Sequence, residues 1–278
     1  MLDRTRDSSA EGGDRRAQTE RARLRWRTAL SSFSILAVYV GLVAAWQVFG
    51  HDVNRYFSSY PVAIVRAAVD MVATGALGPP LLNSLGVLGA GFLLTLLIGV
   101  PCGFAVGRYK TLNEIVGPII TALFVAPREV FIPLLVLWFG LTDSSRIVFV
   151  LLSSLFPMLY NVADGVRNVS ASHVEVARAY GASEWTVTKE VVFPSIVPFL
   201  GVGVKQAIGR GLTGLVAAEF FIGVSGLGGE LQKASAFFRL DKVFVIIFVL
   251  VLLGFMLSRA GDMAEERLGA WRKTERAY

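Results

Sequence analysis

The side chains able to do chemistry fall into two sets. One is a polar run, SASHVEVARAYGASEWTVTKEVVFPSIVP, from Ser170 to Pro198, which carries His173, Glu175, Arg178, Glu184, Lys189 and Glu190. The other is a group of ionisable residues set in apolar stretches: Arg128, Glu129, Lys205, Arg210 and Glu219. Neither set composes a catalytic constellation. His173 lies in a short helix with no paired carboxylate and nucleophile beside it, and no GxxxxGK[ST] loop is present to cradle ATP phosphates. The glycine-rich GVSGLGG, Gly223 to Gly229, has no lysine after its glycines. With two histidines far apart and Cys102 as the one cysteine, the chain has no thiolate metal cluster and no intramolecular disulfide. The expectation is therefore no catalytic residue, no metal site and no cofactor held by this chain.

The polar run reads as two short helices meeting at a glycine. Ser172 and Glu175 have capping-box spacing, which predicts a start near His173. Val174, Ala177 and Tyr180 hold one apolar stripe over about two turns, and Gly181 stands where a left-handed cap would end them. Ser183 can cap a second helix, Glu184 to about Val192, with Pro194 at its end because proline lacks the donor that would continue the ladder. The result is a polar helix-turn-helix finger between apolar segments. An amphipathic loop resting on lipid is the alternative, but Glu175, Arg178, Glu184, Lys189 and Glu190 alternate in sign, which suits a solvated protein partner better than anionic headgroups.

The charges in apolar stretches carry a cost of about 2.5–3.5 kcal/mol each near the bilayer centre. Arg128 has two readings: a planar fork presented to an anionic solute, or a structural partner of Glu129 or a neighbouring span. Glu219 reads either as a gate or interhelical hydrogen-bonding group, or as a satisfied structural carboxylate. Lys205 and Arg210 read as snorkelling to the cytoplasmic interface. Trp138, Phe139, Phe220 and Phe221 read as packing or belt residues ahead of a substrate cage.

The elements that must position these groups follow from composition. At 54% hydrophobic and 17% charged over 278 residues, the chain is too apolar for an ordinary soluble domain and reads as an all-α polytopic membrane protein. About six spans are predicted. The first is Thr28–Gly50 and the second Leu81–Gly107, followed by a kinked third over Glu114–Thr142. The fourth is Ile147–Ala163, the fifth crosses Val191–Phe221 and the sixth is Val243–Ser258. Between the first two, Val62, Val65, Val69 and Val72 place an amphipathic helix on the outer surface. Asp143 to Arg146 is expected as an outer turn, and the segment after Gly223 as an outer loop, in part re-entrant.

The net charge of +6 sits on residues flanking apolar segments, which points to lipid headgroups and not to nucleic acid. Eighteen basic residues fall in the segments assigned to the cytoplasm, six outside and three within or near the bilayer. That excess orients both termini to the cytoplasm.

Glu175, Ala177, Gly181, Ala182, Ser183, the Val191–Pro194 run and Pro198 resemble the EAA loop of inner-membrane permease subunits of binding-protein-dependent ABC importers. Val176 and Phe193 replace the usual alanine and leucine with other apolar residues. NSLGVLGAGF from Asn83, APREVFIPLLVLWFGL from Ala126 and AAEFFIGVSGLG from Ala217 narrow the resemblance to the nitrate, sulfonate, taurine and bicarbonate group. The resemblance implies a type I importer permease fold in a bacterial inner membrane, with a cytoplasmic arm at 1–28, a transmembrane domain at 29–262 with its coupling loop at about 170–190, and a tail at 263–278. It implies that Glu175, Ala177, Arg178, Gly181, Ala182, Ser183 and Pro194 couple the spans to ABC ATPase subunits, which bind the ATP and magnesium. Further implied partners are an extracytoplasmic solute-binding protein and a second permease copy forming a homodimer. Arg128, Glu129 and Glu219 are the expected pathway residues for a small solute. An ion-coupled secondary transporter, which would need no ATPase, and a non-transporting scaffold are the competing classes; an inverted repeat, the mark of many secondary transporters, is not evident.

Overall fold

A computed structural model describes residues 37–51, 58–223 and 225–268, with side chains through 263. The arm predicted over residues 1–28 lies outside the described residues, as does the start of the first predicted span. The chain divides into two units, 1–65 and 66–278.

In the first unit, α1 (Ala37–His51) is a short apolar helix and forms the described part of the first predicted span. The chain that follows is tied back to it: Trp46 Nε1 donates to Ser59 O at 2.9 Å, and Val62 N donates to Gln47 Oε1 at 3.1 Å. Helix α2 (Pro61–Ala73), which begins in the first unit and continues into the second, carries the valine stripe, whose four members are exposed, while Ile64, Ala67 and Met71 on the other face are buried.

The second unit is built around α6 (Asp143–Arg167), with α3 (Gly78–Arg108) and α9 (Phe193–Ile222) packed along it. Pro79 and Pro80 occupy the first turn of α3, where a missing N–H costs nothing. In lipid, helices gain little from burying more apolar surface, so small residues that let backbones approach drive the contact. A Cβ on Gly91, Gly103 or Gly107 of α3 would stand 2.6 Å from Val150 Cγ1, 2.8 Å from Leu159 O and 2.6 Å from Ala163 O of α6, respectively. On the other side, Ser154 Oγ of α6 donates to Ala207 O of α9 at 3.0 Å. Met158, Val162 and Ala207 form the middle of the core, and Phe149, Val150, Ile196 and Leu215 are fully buried. Helix α11 (Leu240–Leu268) packs on α9 and runs well past the predicted sixth span.

Among the described residues, four helical stretches are long and apolar enough to cross a membrane: Gly78–Arg108, Asp143–Arg167, Glu184–Ile222 and Leu240–Met263. The predicted third span is not one kinked helix. Helix α4 (Lys110–Val125) and the Arg128–Phe139 segment, a 3-10 turn followed by α5 (Ile132–Phe139), meet at 96°. Pro127 is the cause, since it holds Ala126 extended at φ −58°, ψ 140°, and a helix cannot pass through that residue.

Two other expectations change. Asp143–Arg146 is the first turn of α6 rather than an outer turn, and the segment after Gly223 forms α10 (Gly226–Ala236), with Gly226, Leu227, Gly228 and Gly229 buried. Left-handed backbone at Gly223 (φ 68°) and Gly226 (φ 83°) allows the sharp reversal between α9 and α10.

Candidate coupling site and the buried charges

The finger is α7 (Ala171–Ala179), α8 (Glu184–Val187) and the link between them. Helix α7 begins two residues earlier than the capping box predicts: Ser170 is the N-cap, and its hydroxyl pairs with Ser172 Oγ at 2.8 Å instead of with a backbone amide. The end of α7 follows the prediction. Gly181 sits at φ +81°, Ala182 N donates to Ala177 O at 3.1 Å and Gly181 N to Arg178 O at 2.9 Å. These two bonds close a Schellman motif and satisfy the last carbonyls of α7. Ser183 then caps α8, accepting from Thr186 N at 3.2 Å.

Pro194 does not end the second helix. A π turn over Thr188–Val192 slips the hydrogen-bond register by one residue, Phe193 N bonds Thr188 O, and Pro194 enters the first turn of α9. A proline there gives up no hydrogen bond, so α8, the π turn and α9 run on as one 39-residue stretch.

Val166, Val187, Val192 and Ile196 make the core beneath the finger, with Val174, Ala177 and Ala182 packed on it. Tyr180 does not join them. It is the C-cap residue of α7 and is 89% exposed; Trp185, at 75%, and Val176 are exposed as well. The finger therefore presents two aromatic rings to solvent. Glu184 joins the finger to the end of α3: Arg178 Nε donates to its Oε1 at 2.9 Å and Arg108 Nη2 to its Oε2 at 2.7 Å. Glu175 is exposed on the outer side of α7, and Pro194 is buried below the finger's surface only in part.

The three charges expected along a pathway occupy two places. Arg128 opens the 3-10 turn after the 96° bend and donates from Nη2 to Phe124 O at 2.7 Å, while Glu129 is exposed beside it. Glu219 lies elsewhere, fully buried at the end of the bundle away from the finger. Its carboxylate accepts from Ser84 Oγ at 2.8 Å and from Gly228 N at 2.9 Å. Arg146, also fully buried, stands 3.7 Å from Glu219 Oε1. Arg146 Nη1 donates to Asn83 Oδ1 at 2.9 Å and Ser225 O at 3.1 Å, and Nη2 reaches Ser225 Oγ and Asp143. This clasp ties the starts of α3, α6 and α10 to the end of α9. The sequence reading misses Arg146 because its polar neighbours suggest a solvated turn; the signal available is that Asn83, Ser84, Glu219 and Ser225 all fall within the two short motifs from Asn83 and Ala217. Lys205 pairs with Asp262 of α11 at 2.5 Å. Among the described residues no group of histidines, cysteines and carboxylates is placed to hold a metal ion.

Residues 95–269 match the family described as binding-protein-dependent transport system inner membrane component. Among curated proteins, the chain is 30% identical to a probable ABC transporter permease protein of Brucella abortus (strain 2308), over 77% of this chain and 85% of that one. It is 29% identical to the taurine transport system permease protein TauC of Escherichia coli (strain K12), over 90% of this chain and 94% of that one. Among solved structures, the MetNI methionine ABC transporter in an inward-facing conformation aligns with a TM-score of 0.60 at 17% identity, covering 68% of this chain and 94% of the matched chain, a likeness of fold.

Proposed function

Since the chain belongs to the family of binding-protein-dependent transport system inner membrane components and is an ABC transporter permease spanning the inner membrane several times, we propose that its finger is the coupling element gripped by ABC ATPase subunits. The observation that carries this is the finger's build. Its backbone is closed by the Schellman bonds at Gly181 and by the Ser183 cap, its base is clamped through Glu184, and its outer face offers Tyr180, Trp185 and Val176. A capped, rigid element with exposed aromatics suits docking into a protein cleft, where aromatic anchors supply much of the binding energy. Glu175, Arg178 and Gly181 form or shape that face, Ala177 and Ala182 seat it on the core, and Ser183 and Pro194 set its two ends.

In this reading both termini and the finger face the cytoplasm, in line with the distribution of basic residues. ATP and magnesium are bound by the partner ATPases. Two copies of the chain enclose the pathway, and an extracytoplasmic binding protein delivers the solute, a small molecule of the taurine, sulfonate, nitrate or bicarbonate kind. Arg128, Glu129 and Glu219 belong to the pathway or to the helices that shape it.

The test is ATP-driven uptake by vesicles holding the chain with its ATPase and binding protein. Gly181→Trp should leave the permease in the membrane while abolishing uptake and ATPase co-purification. Normal uptake by that variant, or uptake by the chain alone under a proton or sodium gradient, refutes the coupling assignment.

A further inference from the structure

The bend between α4 and α5 holds charge that coupling does not use. The bond from Arg128 Nη2 to Phe124 O fixes the guanidinium plane on the open carbonyl end of α4. Arg128 Nε is buried and has no hydrogen-bond partner among the described residues. An unmet donor on a buried nitrogen is costly, and where native structures keep one, a ligand, ion or water usually fills it.

The 3-10 turn that carries Arg128 packs against α9. From that helix the charge of Arg210 opposes that of Arg128, and the adjacent Glu129 offsets it. Arg210 stands on an exposed side of α9, twelve residues before its end at Ile222. At 1.5 Å per residue that is about 18 Å, well inside a hydrocarbon layer of about 30 Å. A guanidinium at that depth is not accommodated against lipid tails and faces a water-filled cavity or the interior of an assembly. Two arginines offset by one carboxylate leave a single positive charge.

We propose that Arg128 and Arg210 form a mid-membrane transit site for a monovalent oxyanion of the sulfonate, nitrate or bicarbonate type, with Arg128 Nε–H and the Arg210 fork as its donors. The site rests on the reading of the chain as a permease and deepens it, by giving Arg210 a role and the solute a charge. Planar guanidinium donors match the spacing of two oxygens on such an anion. Positive charge held by a backbone carbonyl, instead of by a second carboxylate, lets the anion leave again.

The experiment is equilibrium binding of radiolabelled methanesulfonate to the full-length chain in lipid nanodiscs. Saturable binding displaced by nitrate, and not by choline at the same ionic strength, is expected. Arg128→Gln and Arg210→Gln should each weaken it by about tenfold or more. If the glutamine variants do not fold, Arg128→Lys and Arg210→Lys carry the test: lysine keeps the charge but loses the fork, and a weakening of about threefold is expected. No saturable binding by the wild-type chain, or affinity indifferent to these substitutions, overturns the site. Recruitment of an ATPase by the same nanodiscs reads the coupling assignment separately. A chain that recruits the ATPase but binds no methanesulfonate loses only the transit site; one that binds the anion through both arginines but recruits no ATPase loses only the coupling role.

Discussion

Replacing Glu219 with alanine should loosen the end of the bundle away from the finger. The carboxylate is fully buried and accepts from Ser84 Oγ and Gly228 N, and Arg146 lies 3.7 Å away. Each hydrogen bond to a charged acceptor contributes about 1.5–3 kcal/mol. Its removal also strips the buried Arg146 of one of its two carboxylate neighbours, the other being Asp143. These losses overlap, so the net destabilisation is about 3–5 kcal/mol, the range for breaking a buried pair by deleting one member. Glu219→Gln keeps the shape and one acceptor oxygen and should cost roughly half as much. Equilibrium unfolding in mixed micelles measures both. Hydrogen exchange supplies a local readout: the Leu227 and Gly228 amides, which donate to Ser84 Oγ and Glu219 Oε2 at 2.9 Å each, should exchange faster in the alanine variant than amides in the middle of α6. A double-mutant cycle with Arg146→Met should give a coupling above about 1 kcal/mol. If the two single effects add within about 0.5 kcal/mol, or if Glu219→Ala unfolds like wild type, the clasp is not a cooperative unit and the reasoning fails.

Gly107→Val should lower the yield of folded protein and destabilise it by at least about 1–3 kcal/mol, since its Cβ would stand 2.6 Å from Ala163 O, a backbone atom that cannot swing aside. Gly89→Ala, on an open side of α3 with nothing within 4 Å, should stay within about 0.5 kcal/mol in the same thermal unfolding assay. Ser183→Ala should cost about 1 kcal/mol by removing the cap on Thr186 N, and pulsed hydrogen exchange should show the start of α8 fraying first. Glu184→Gln removes the charge that holds Arg108 and Arg178 together; folding should change little, because these groups are exposed, while ATP-driven uptake should fall more than ATPase co-purification.

The finger is legible in the sequence because its signals are local. Gly181 and Ser183 act on backbone groups within five residues, and both form the caps their types suggest. The start of α7 is less so: Ser170 and Ser172 are equally good caps by composition, and the helix starts from Ser170. Tyr180 fits the apolar stripe by spacing, but at the C-cap the helix no longer sets its direction and the ring turns outward. Pro194 misleads because the rule against proline inside a helix assumes a regular ladder, and the π turn changes the register just before it. Arg146 is the case sequence spacing cannot reach. Its partners Asn83 and Ser225 lie 63 and 79 residues away, and their convergence depends on α3, α6 and α9 being brought side by side by glycines whose role is itself visible only once the helices are paired.

The glycine seam between α3 and α6 limits how a transport cycle can be divided among the helices. Where a backbone carbonyl of one rod nearly fills the space of a missing methyl on the other, sliding or rolling would drive atoms into one another, so the two rods must travel as a single piece. A transport cycle of the kind proposed would then be taken up at joints that lack such a seam, and the sharp elbow at Pro127 is the joint of that kind nearest the arginines.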